Sequence, residues 1–384
     1  MLFKAKQPLV LVCDFNSGNV GVALVARRGV SEYTVLYHRR IKYTSKRQSK
    51  KKIQENLKEA IGFAMDDIVH QGFKSTNPGT LRSYEIEKVL CVFSAPWYRA
   101  QIKKVSVEKE EVFTVTRKII DDEMEKVEKA FELESGKSDK ENFFIGGIHA
   151  VEREIFGASV NGYEMKFPLM KRGKNLELIT FVSVVPHSVR EIIRAEVGKR
   201  IHTNNFSFYT LPPILTKSLK AIFENENNFL VLRIGLLNTD VVLVGNGVIS
   251  RIEVLPFGYD GLIQEVKKQF DVESDMAVTL LRLFSEKGAD SLTEKTISNI
   301  VGEELNRWRQ KISSLENFSS TDRVFLITDE TFSSVYKDVF TAEIHNEKKI
   351  HIFKLDMEIF KGRISFANHV TFDSDLAFLL AGIT

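Results

Sequence analysis

The chain has 384 residues, of which 43% are hydrophobic and 27% charged, and its formal net charge is +3. This length exceeds what one hydrophobic core usually covers, so an ordinary soluble globular protein with two lobes or several subdomains is expected. So small a net charge gives no reason to expect bulk nucleic-acid binding.

The sequence also argues against a secreted or membrane-spanning protein. Only two cysteines occur, Cys13 and Cys91, both in apolar runs, so no disulfide framework is indicated and each is expected to be a small buried side chain. The apolar stretch before Asp14 is too short for a signal peptide. Nowhere do about 18 apolar residues follow one another. We therefore expect a cytoplasmic protein whose contact with a membrane is peripheral or indirect.

The first predicted elements are a strand hairpin, a third strand and a helix. In residues 10–25 an apolar strand reaches a polar turn at Asp14, and a second apolar strand leads away. Residues 32–42 alternate as a strand does, and apolar residues recur at helical spacing over 53–68. The segment 39–52 carries eight basic residues and no acid. We interpret it as a solvated loop entering the helix, with an anionic partner or membrane surface as the alternative.

A turn-rich connector, 72–83, separates these elements from a short apolar strand at 89–94. Trp97 and Tyr98 follow this strand, and we expect them to pack over a helix of the same unit rather than to form an exposed binding patch. A long amphipathic helix is predicted from Thr116.

Two further strands are predicted over 144–160 and 176–185. Ser188 and Glu191 fit a capping box at the start of the next helix. Residues 87–203 therefore have the pattern of a small α+β unit inserted into the first lobe.

A second hairpin, at residues 230–244, aligns with the first without a gap and places Arg233 where the first has Asp14. Asn246-Gly247 predicts a tight turn into another strand. The remaining predicted elements are helices over 211–223 and 259–314, a buried strand over 323–328 and a short apolar helix over 376–381.

This order of elements resembles the actin-like ATPases, and within them the cell-division protein FtsA and the pilus-assembly protein PilM. The resemblance rests on phosphate hairpins at Asp14 and Gly235, on a strand end at Thr328 and on the unit inserted between the hairpins. The stretch 249–258, which ends in proline and glycine, is similar to the family's segment after its second hairpin. The resemblance implies an α/β, two-lobed actin-like (ribonuclease H-like) fold with an inserted α+β IC-type subdomain.

The resemblance also implies a division of the chain into subdomains. Lobe I begins with residues 1–86 (IA), is interrupted by the IC-type subdomain at 87–203 and resumes at 204–227; lobe II comprises 228–256 (IIA), a helical IIB subdomain at 257–320 and the rest of IIA at 321–372; residues 373–384 form a closing helix on lobe I.

A nucleotide site between the two hairpins is a further implication of the resemblance. In such a site a carboxylate orders magnesium-bound water, and backbone amides of glycine-rich turns face the phosphates. The predicted metal-site residue is Asp14, which would act through water. The predicted nucleotide-binding residues are Asp14, Asn16, Ser17, Gly18 and Asn19 in the first turn, Gly235, Asn238 and Thr239 in the second, and Thr328 at the third position.

Five residues depart from the family's pattern. The second hairpin has Arg233 in place of an acid, and Leu236 and Leu237 in place of two glycines. Leucine fills space that a phosphate needs and disfavours the backbone conformations that glycine permits. Asp329 and Glu330 replace a glycine pair and would repel an anion by about 1 kcal/mol per close pair.

Arg233 has two interpretations. It either holds phosphates in place of magnesium or pairs with an acid such as Asp240 or Asp329 across a closed cleft. The departures favour a protein with little or no ATP hydrolysis, and no catalytic residue is assigned. ATP and magnesium are the cofactors that the resemblance implies, and a cleft that binds neither is the alternative.

The leading hypothesis is a divergent FtsA-like scaffold of bacterial cell division at the inner face of the membrane. Its expected partners are proteins such as an FtsZ-like tail, together with further copies of itself in filaments or dimers. FtsA carries a C-terminal amphipathic helix that this sequence does not show up to Thr384, so direct anchoring is not expected. The alternatives are a PilM-like cytoplasmic adaptor of type IV pilus or secretion-platform assembly, which binds an inner-membrane partner's peptide, and a sugar-kinase-type phosphotransferase.

Overall fold

The computed structural model describes residues 9–29, 32–43, 49–76, 86–137, 144, 147–313, 323–329, 332–333, 335–336, 351–353 and 357–383. Within these residues the strands form three sheets, of six, five and four strands. Two of the sheets are centred on the first and second hairpins, and the third lies in the unit inserted between the hairpins.

The first sheet is centred on the first hairpin. Its strands, in spatial order, are Ile364–Phe366 (β15), Tyr33–Lys42 (β3), Asn19–Arg27 (β2), Leu9–Phe15 (β1), Ile86–Phe93 (β4) and Phe206–Thr210 (β9). β3, β2 and β1 are antiparallel, and β4 and β9 continue the sheet in parallel with β1. β1 is buried along its whole length, as its uninterrupted apolar run predicts. Cys13 and Cys91 are both buried, as expected, and the structure places them side by side in β1 and β4.

The second sheet repeats this topology. Its strands, in spatial order, are Val248–Leu255 (β12), Thr239–Gly245 (β11), Phe229–Ile234 (β10), Arg323–Thr328 (β13) and His351–Phe353 (β14). The pairings are antiparallel, antiparallel, parallel and parallel, as they are from β3 to β9. Asn246 and Gly247 join β11 to β12 with φ values of 51° and 74°, which confirms the predicted tight turn.

The third sheet is antiparallel throughout and carries one long helix. Its strands, in spatial order, are Arg99–Thr114 (β5), Arg172–Pro186 (β8), Ile148–Val160 (β6) and Tyr163–Met165 (β7). Helix α3, Arg117–Lys137, buries Ile120, Met124, Val127 and Phe131 in one apolar cluster with β6 and β8. The apolar face predicted for this helix, whose residues recur every 3.6 positions, is thus the face that contacts the sheet.

The remaining helices pack on the first two sheets. Those with the first sheet are Lys50–Asp67 (α1), the short Phe73–Thr76 (α2), His187–Gly198 (α4), Leu211–Ile222 (α5) and Ser374–Ile383 (α9), with a π-helical turn at Ile68–Gly72 and a 3-10 turn at Met357–Phe360. Those with the second sheet are Asp260–Phe270 (α6), Ser274–Ser285 (α7) and Ser291–Ser313 (α8). α9 lies tightly against α5, where the Ser218 hydroxyl donates to the Phe378 carbonyl at 2.6 Å.

Two strands lie in a different sheet from the one that the predicted subdomain limits imply. β4 falls within the predicted unit 87–203, yet it pairs with β1 and belongs to the first sheet. β15 falls within 321–372, predicted as part of lobe II, yet it pairs with β3. Both differences arise because parallel pairing depends on a crossover in space, which no local pattern encodes.

A long strand was not predicted, and one local prediction was wrong. β5 was not predicted as a strand, because charged residues are frequent in it and its apolar positions are few; it pairs with β8 along most of its length. Ser188 does not cap α4, which begins at His187 without a side-chain cap. The Ser188 hydroxyl instead accepts a hydrogen bond from Gln54 Nε2 at 2.7 Å.

Candidate functional site

The turns of the two hairpins meet between the first and second sheets. The Leu237 amide donates to the Ser17 hydroxyl at 3.1 Å. The Leu236 side chain packs so closely on Gly18 that no space remains there for even a methyl group. The two turns are therefore in direct contact at Gly18 and Leu236, and no space remains between them at this point.

The amides of the first turn are used within the turn itself. Asn16 Oδ1 accepts hydrogen bonds from the amides of Asn19 at 3.0 Å and Gly18 at 3.3 Å. The Asn16 carbonyl in turn accepts from Tyr43 Oη at 2.5 Å and from Trp97 Nε1 at 3.0 Å. Because these amides already have acceptors, they are not available as an anion-binding concavity.

Asp14 is held by an arginine from another strand. Asp14 of β1 lies opposite Gly21 of β2, and Gly21 lies opposite Arg40 of β3. Because Gly21 has no side chain, the Arg40 side chain can cross β2, and its Nη1 donates to Asp14 Oδ2 at 2.7 Å. Arg40 was predicted to be part of a solvated basic run, and this prediction was wrong for Arg40.

The other side of the Arg40 guanidinium contacts the residue before α9. Nε donates to Asp373 Oδ2 at 2.6 Å, and Nη2 donates to Asp373 Oδ1 at 3.0 Å. Asp373 Oδ1 also accepts from the Leu376 amide at 2.9 Å, which satisfies a free amide of the first helical turn. Arg40 thus connects the first hairpin to the last helix.

Arg233 is buried and lies between two acids. It is opposite Asp240 in the β10–β11 register, with Nη1 3.9 Å from Asp240 Oδ2. Its Nη2 is 3.3 Å from Asp375 Oδ2, in the first turn of α9. The predicted pairing of Arg233 with Asp240 is therefore present, together with an unpredicted partner, Asp375.

Tyr98 joins Asp240 to the segment that follows β4. Its hydroxyl donates to Asp240 Oδ1 at 2.8 Å, and the Ala95 amide donates to the same oxygen at 3.3 Å. Trp97 and Tyr98 are buried, as predicted, but their polar atoms contact the two hairpins rather than the helix of the inserted unit.

The pKa values of the carboxyl groups in the cleft depend on their burial and on the neighbouring arginines. Burial raises the pKa of Asp14, against the attraction of Arg40 and Arg233. Burial raises the pKa of Asp240 as well, against the attraction of Arg233 and the hydrogen bond from Tyr98. Burial also acts to raise the pKa of Asp373, but the charge and hydrogen bonds of Arg40 outweigh this effect and lower the pKa to about 2.

A cavity of about 400 Å³ opens beside this array. Arg40, and not Asp14, lines it, together with Arg233, Asp373 and Asp375. The predicted site residues that also line it are Asn16, Asn19, Gly235, Leu236, Thr328 and Asp329. Thr239 is buried, and its hydroxyl donates to the Phe257 carbonyl at 2.9 Å. The Asn238 carbonyl accepts a hydrogen bond from the Gly235 amide at 2.9 Å. Glu330 lies outside the described residues.

The residues that line this cavity do not form a suitable site for magnesium and a nucleoside triphosphate. Asp14 is committed to Arg40, and Leu236 takes the space between the turns. The two guanidiniums, of Arg40 and Arg233, are already outnumbered by the surrounding carboxylates of Asp14, Asp240, Asp373 and Asp375. A further polyanion would have to separate these ion pairs, which leaves buried charges unpaired at high cost.

Similarity to known proteins is visible in structure and not in sequence. No protein family matched in a scan against family models, and a search of curated proteins also gave no match. Among solved structures, one of a PilM-PilN type IV pilus biogenesis complex matches with a TM-score of 0.56 and 11% identity, covering 97% of this chain and 96% of that chain. The chain has an actin-like fold.

The predicted actin-like fold class is thus confirmed, and the similarity to PilM is one of fold. Two further solved structures match less closely. The ethanolamine utilization protein EutJ from Carboxydothermus hydrogenoformans has a TM-score of 0.46 and 8% identity, with coverage of 98% and 89%. A Bacteroides thetaiotaomicron protein with actin-like ATPase fold and unknown function has a TM-score of 0.39 and 9% identity, with coverage of 99% and 98%.

Several polar groups of this actin-like cleft were not predicted. Arg40 lies two strands away from Asp14, and Asp373 and Asp375 lie far along the sequence from both hairpins, so these groups meet only through the sheet and α9. A local signal existed at Asp373-Ser374-Asp375, where two acids begin an apolar helix, as acids commonly do. None of the helices that the structure describes is both long and apolar enough to cross a membrane.

Proposed function

We propose that this chain is an actin-fold adaptor that binds protein partners without turning over a nucleotide. The observation that carries the proposal is the pairing of Arg40 with Asp14 and Asp373, which occupies the carboxylate that a magnesium nucleotide would require. The packing of Leu236 on Gly18 supports it, because this contact closes the gap between the two hairpin turns.

The partner class follows by analogy with PilM. The solved structure that matches almost the whole chain is that of a PilM-PilN complex of type IV pilus biogenesis. By this fold-level analogy we propose a PilM-like role, in which the chain binds a peptide of an inner-membrane partner at the cytoplasmic face. The FtsA-like role in cell division, with an FtsZ-like tail as the partner, is the second candidate, because the inserted unit lies between the two hairpins as that resemblance requires.

The proposal includes that the cleft binds no nucleotide, without which turnover cannot occur, and thermal unfolding tests this. We expect no shift of the unfolding temperature when millimolar magnesium-ATP or magnesium-ADP is added. A nucleotide at 100 times its dissociation constant would add about 2.7 kcal/mol to the free energy of unfolding, so a shift of several degrees would contradict the proposal.

The residues responsible can be tested with a triple variant, Arg233→Asp with Leu236→Gly and Leu237→Gly. A nucleotide-dependent shift that appears only in this variant would assign the loss of binding to the second hairpin. If the variant folds by circular dichroism and still shows no shift, the Arg40 pairing and the acids that follow Thr328 account for the loss.

The partner proposal can be tested with two immobilised peptides. One is the cytoplasmic N-terminal segment of a PilN-type partner, and the other is the C-terminal tail of an FtsZ. Retention on the first supports the adaptor role, and retention on the second alone supports the cell-division role. Retention on neither would contradict both.

The sugar-kinase-type phosphotransferase is tested separately. Sugar-dependent ATP consumption would favour it, whereas Arg233, Leu236 and Leu237 argue against it.

A further inference from the structure

One end of the inserted unit exposes a cluster of large apolar side chains. We define the tip as residues 161–174, from the turn after β6 to the first residues of β8. Within it Tyr163, Phe167 and Met170 are 77%, 79% and 78% exposed, and Leu169 is 39% exposed. Single exposed apolar side chains are ordinary, but four within eight residues form a concentrated surface of the kind that marks an interaction site.

Backbone hydrogen bonds fix the turn of the tip that carries two of the exposed apolar residues. The Lys171 amide donates to the Pro168 carbonyl at 3.1 Å, so Leu169 and Met170 are the two corner residues of a turn. Met170 has a φ of 63°, a left-handed conformation that turns usually assign to glycine or asparagine. The Met170 amide also donates to the Val115 carbonyl at 2.9 Å, which fixes the turn against the beginning of α3. The exposure is therefore built into the fold.

A second turn is tied to the same end of the sheet. Asn161 and Gly162, with φ values of 52° and 83°, connect β6 to Tyr163. The Asn161 side-chain oxygen accepts hydrogen bonds from the amides of Lys174 at 2.8 Å and Asn175 at 3.1 Å. Both turns are thus attached to the beginning of β8.

The tip is also basic. It contains Lys166, Lys171, Arg172 and Lys174 but only one acid, Glu164. All four basic side chains are exposed, and none forms an ion pair with a residue that the structure describes. The adjoining residues 108–118 contain equal numbers of acids and bases, so they do not cancel the positive charge of the tip.

We propose that the tip docks onto the surface of an anionic lipid bilayer. Apolar side chains flanked by lysine and arginine fit a bilayer, because the former enter the boundary of the acyl chains while the latter contact phosphate headgroups. A protein partner would equally cover the apolar residues, but the four cations around them, none of them in an ion pair with a described residue, favour a surface of dense negative charge. This contact is made by the chain itself and does not depend on the adaptor role.

The proposal can be tested by co-sedimentation of the full chain with vesicles. We expect it to sediment with vesicles that contain phosphatidylglycerol and not with vesicles of phosphatidylcholine alone, and we expect added salt to weaken the binding. Phe167→Ser with Met170→Ser should lower the affinity at least about tenfold. Lys171→Gln with Lys174→Gln should lower it about tenfold or more, since each basic residue near the surface contributes about fivefold.

Matched variants elsewhere on the surface serve as controls. Leu133→Ser with Met276→Ser removes side chains that are 64% and 52% exposed and should leave vesicle binding unchanged. Lys58→Gln with Lys295→Gln removes two exposed positive charges elsewhere and should also leave it unchanged. If the chain does not bind anionic vesicles, or if the tip and control variants behave alike, the proposal is overturned. A wild-type dimer that the tip variants convert to a monomer, without vesicle binding, would also overturn it.

A spectroscopic variant distinguishes insertion from loose electrostatic contact. Trp97 and Trp308 are fully buried, so their emission forms a constant background. Tryptophan introduced by Phe167→Trp should shift its emission to shorter wavelength with anionic vesicles, whereas Leu133→Trp should not. An unshifted Phe167→Trp spectrum on bound vesicles would contradict insertion of the tip. Retention of the partner peptides should be unaffected by the tip variants, so failure of this proposal and failure of the adaptor role are separate outcomes.

Discussion

Arg40 Nη1 lies 2.7 Å from Asp14 Oδ2, and the residue between them in the sheet is a glycine. This contact decides how the cleft is interpreted. Without it, Asp14 at the end of a buried strand would be a candidate magnesium ligand. With it, Asp14 is one member of a buried ionic array that joins the first hairpin to α9.

The first prediction concerns the removal of Arg40. Arg40→Met should lower the free energy of unfolding by about 3–5 kcal/mol, because it leaves the buried carboxylates of Asp14 and Asp373 without a cation. Urea unfolding measures this change. Arg39→Met, at a side chain that is 59% exposed, should change the value by no more than about 1 kcal/mol. Equal effects of the two variants would mean that the array contributes nothing.

The second prediction concerns the hydrogen bond from Tyr98 to Asp240. Tyr98→Phe removes a donor from a buried carboxylate and should cost about 1–3 kcal/mol. Tyr163→Phe, at a side chain that is 77% exposed, should cost less than about 0.5 kcal/mol. In a double-mutant cycle, Tyr98→Phe should cost less when Asp240→Asn is already present. Additive costs would show that the two residues are not coupled.

The third prediction concerns pH and Glu152. The Glu152 carboxylate accepts from Ser183 Oγ at 2.9 Å and from the Thr210 amide at 2.8 Å, where the inserted unit meets the first sheet. Burial raises its pKa to about 7 in spite of these bonds. A raised folded-state pKa favours folding below the unfolded pKa, and this stability is lost as pH rises through about 7.

Glu152→Gln should therefore remove this loss. When the pH rises from below the unfolded-state pKa to above the folded-state pKa, the free energy of unfolding of the wild type should fall by about 1–3 kcal/mol relative to that of the variant. Chemical unfolding at several pH values measures the difference. Glu154→Gln, which removes an exposed ion pair with Lys217, is the control and should follow the wild type. A wild-type pH dependence in Glu152→Gln would show that Glu152 does not titrate in this range.

The fourth prediction concerns the approach of Gly258 to the second hairpin. A Cβ at Gly258 would overlap the backbone carbonyl of Gly235, so Gly258→Ala should cost at least about 2 kcal/mol. Gly302 lies in α8 with open space around its Cα, and Gly302→Ala should instead stabilise the helix by up to about 1 kcal/mol. Thermal unfolding of the two variants should therefore shift in opposite directions. A shift in the same direction would contradict the close contact.

Much of the site could be predicted, and the part that was missed has a common cause. Asp14 and Arg233 were placed correctly at the ends of equivalent strands, because strand and turn signals are local. Arg40 was assigned to a solvated basic run, since nothing beside it in sequence shows that Gly21 leaves a path to Asp14. Asp375 was missed as a partner of Arg233 because it lies at the start of the last helix.

The sequence by itself determined the two hairpins, the unit inserted between them and the replacement of an acid by Arg233. These features follow from apolar periodicity and turn residues, which act over a few neighbouring positions. The tertiary structure decided that Arg40 and Arg233 each lie between carboxylates and that Leu236 closes the gap between the turns. It did so because ion pairs and steric contacts depend on strand register and on how the two lobes meet, and neither can be read from neighbouring positions of the sequence.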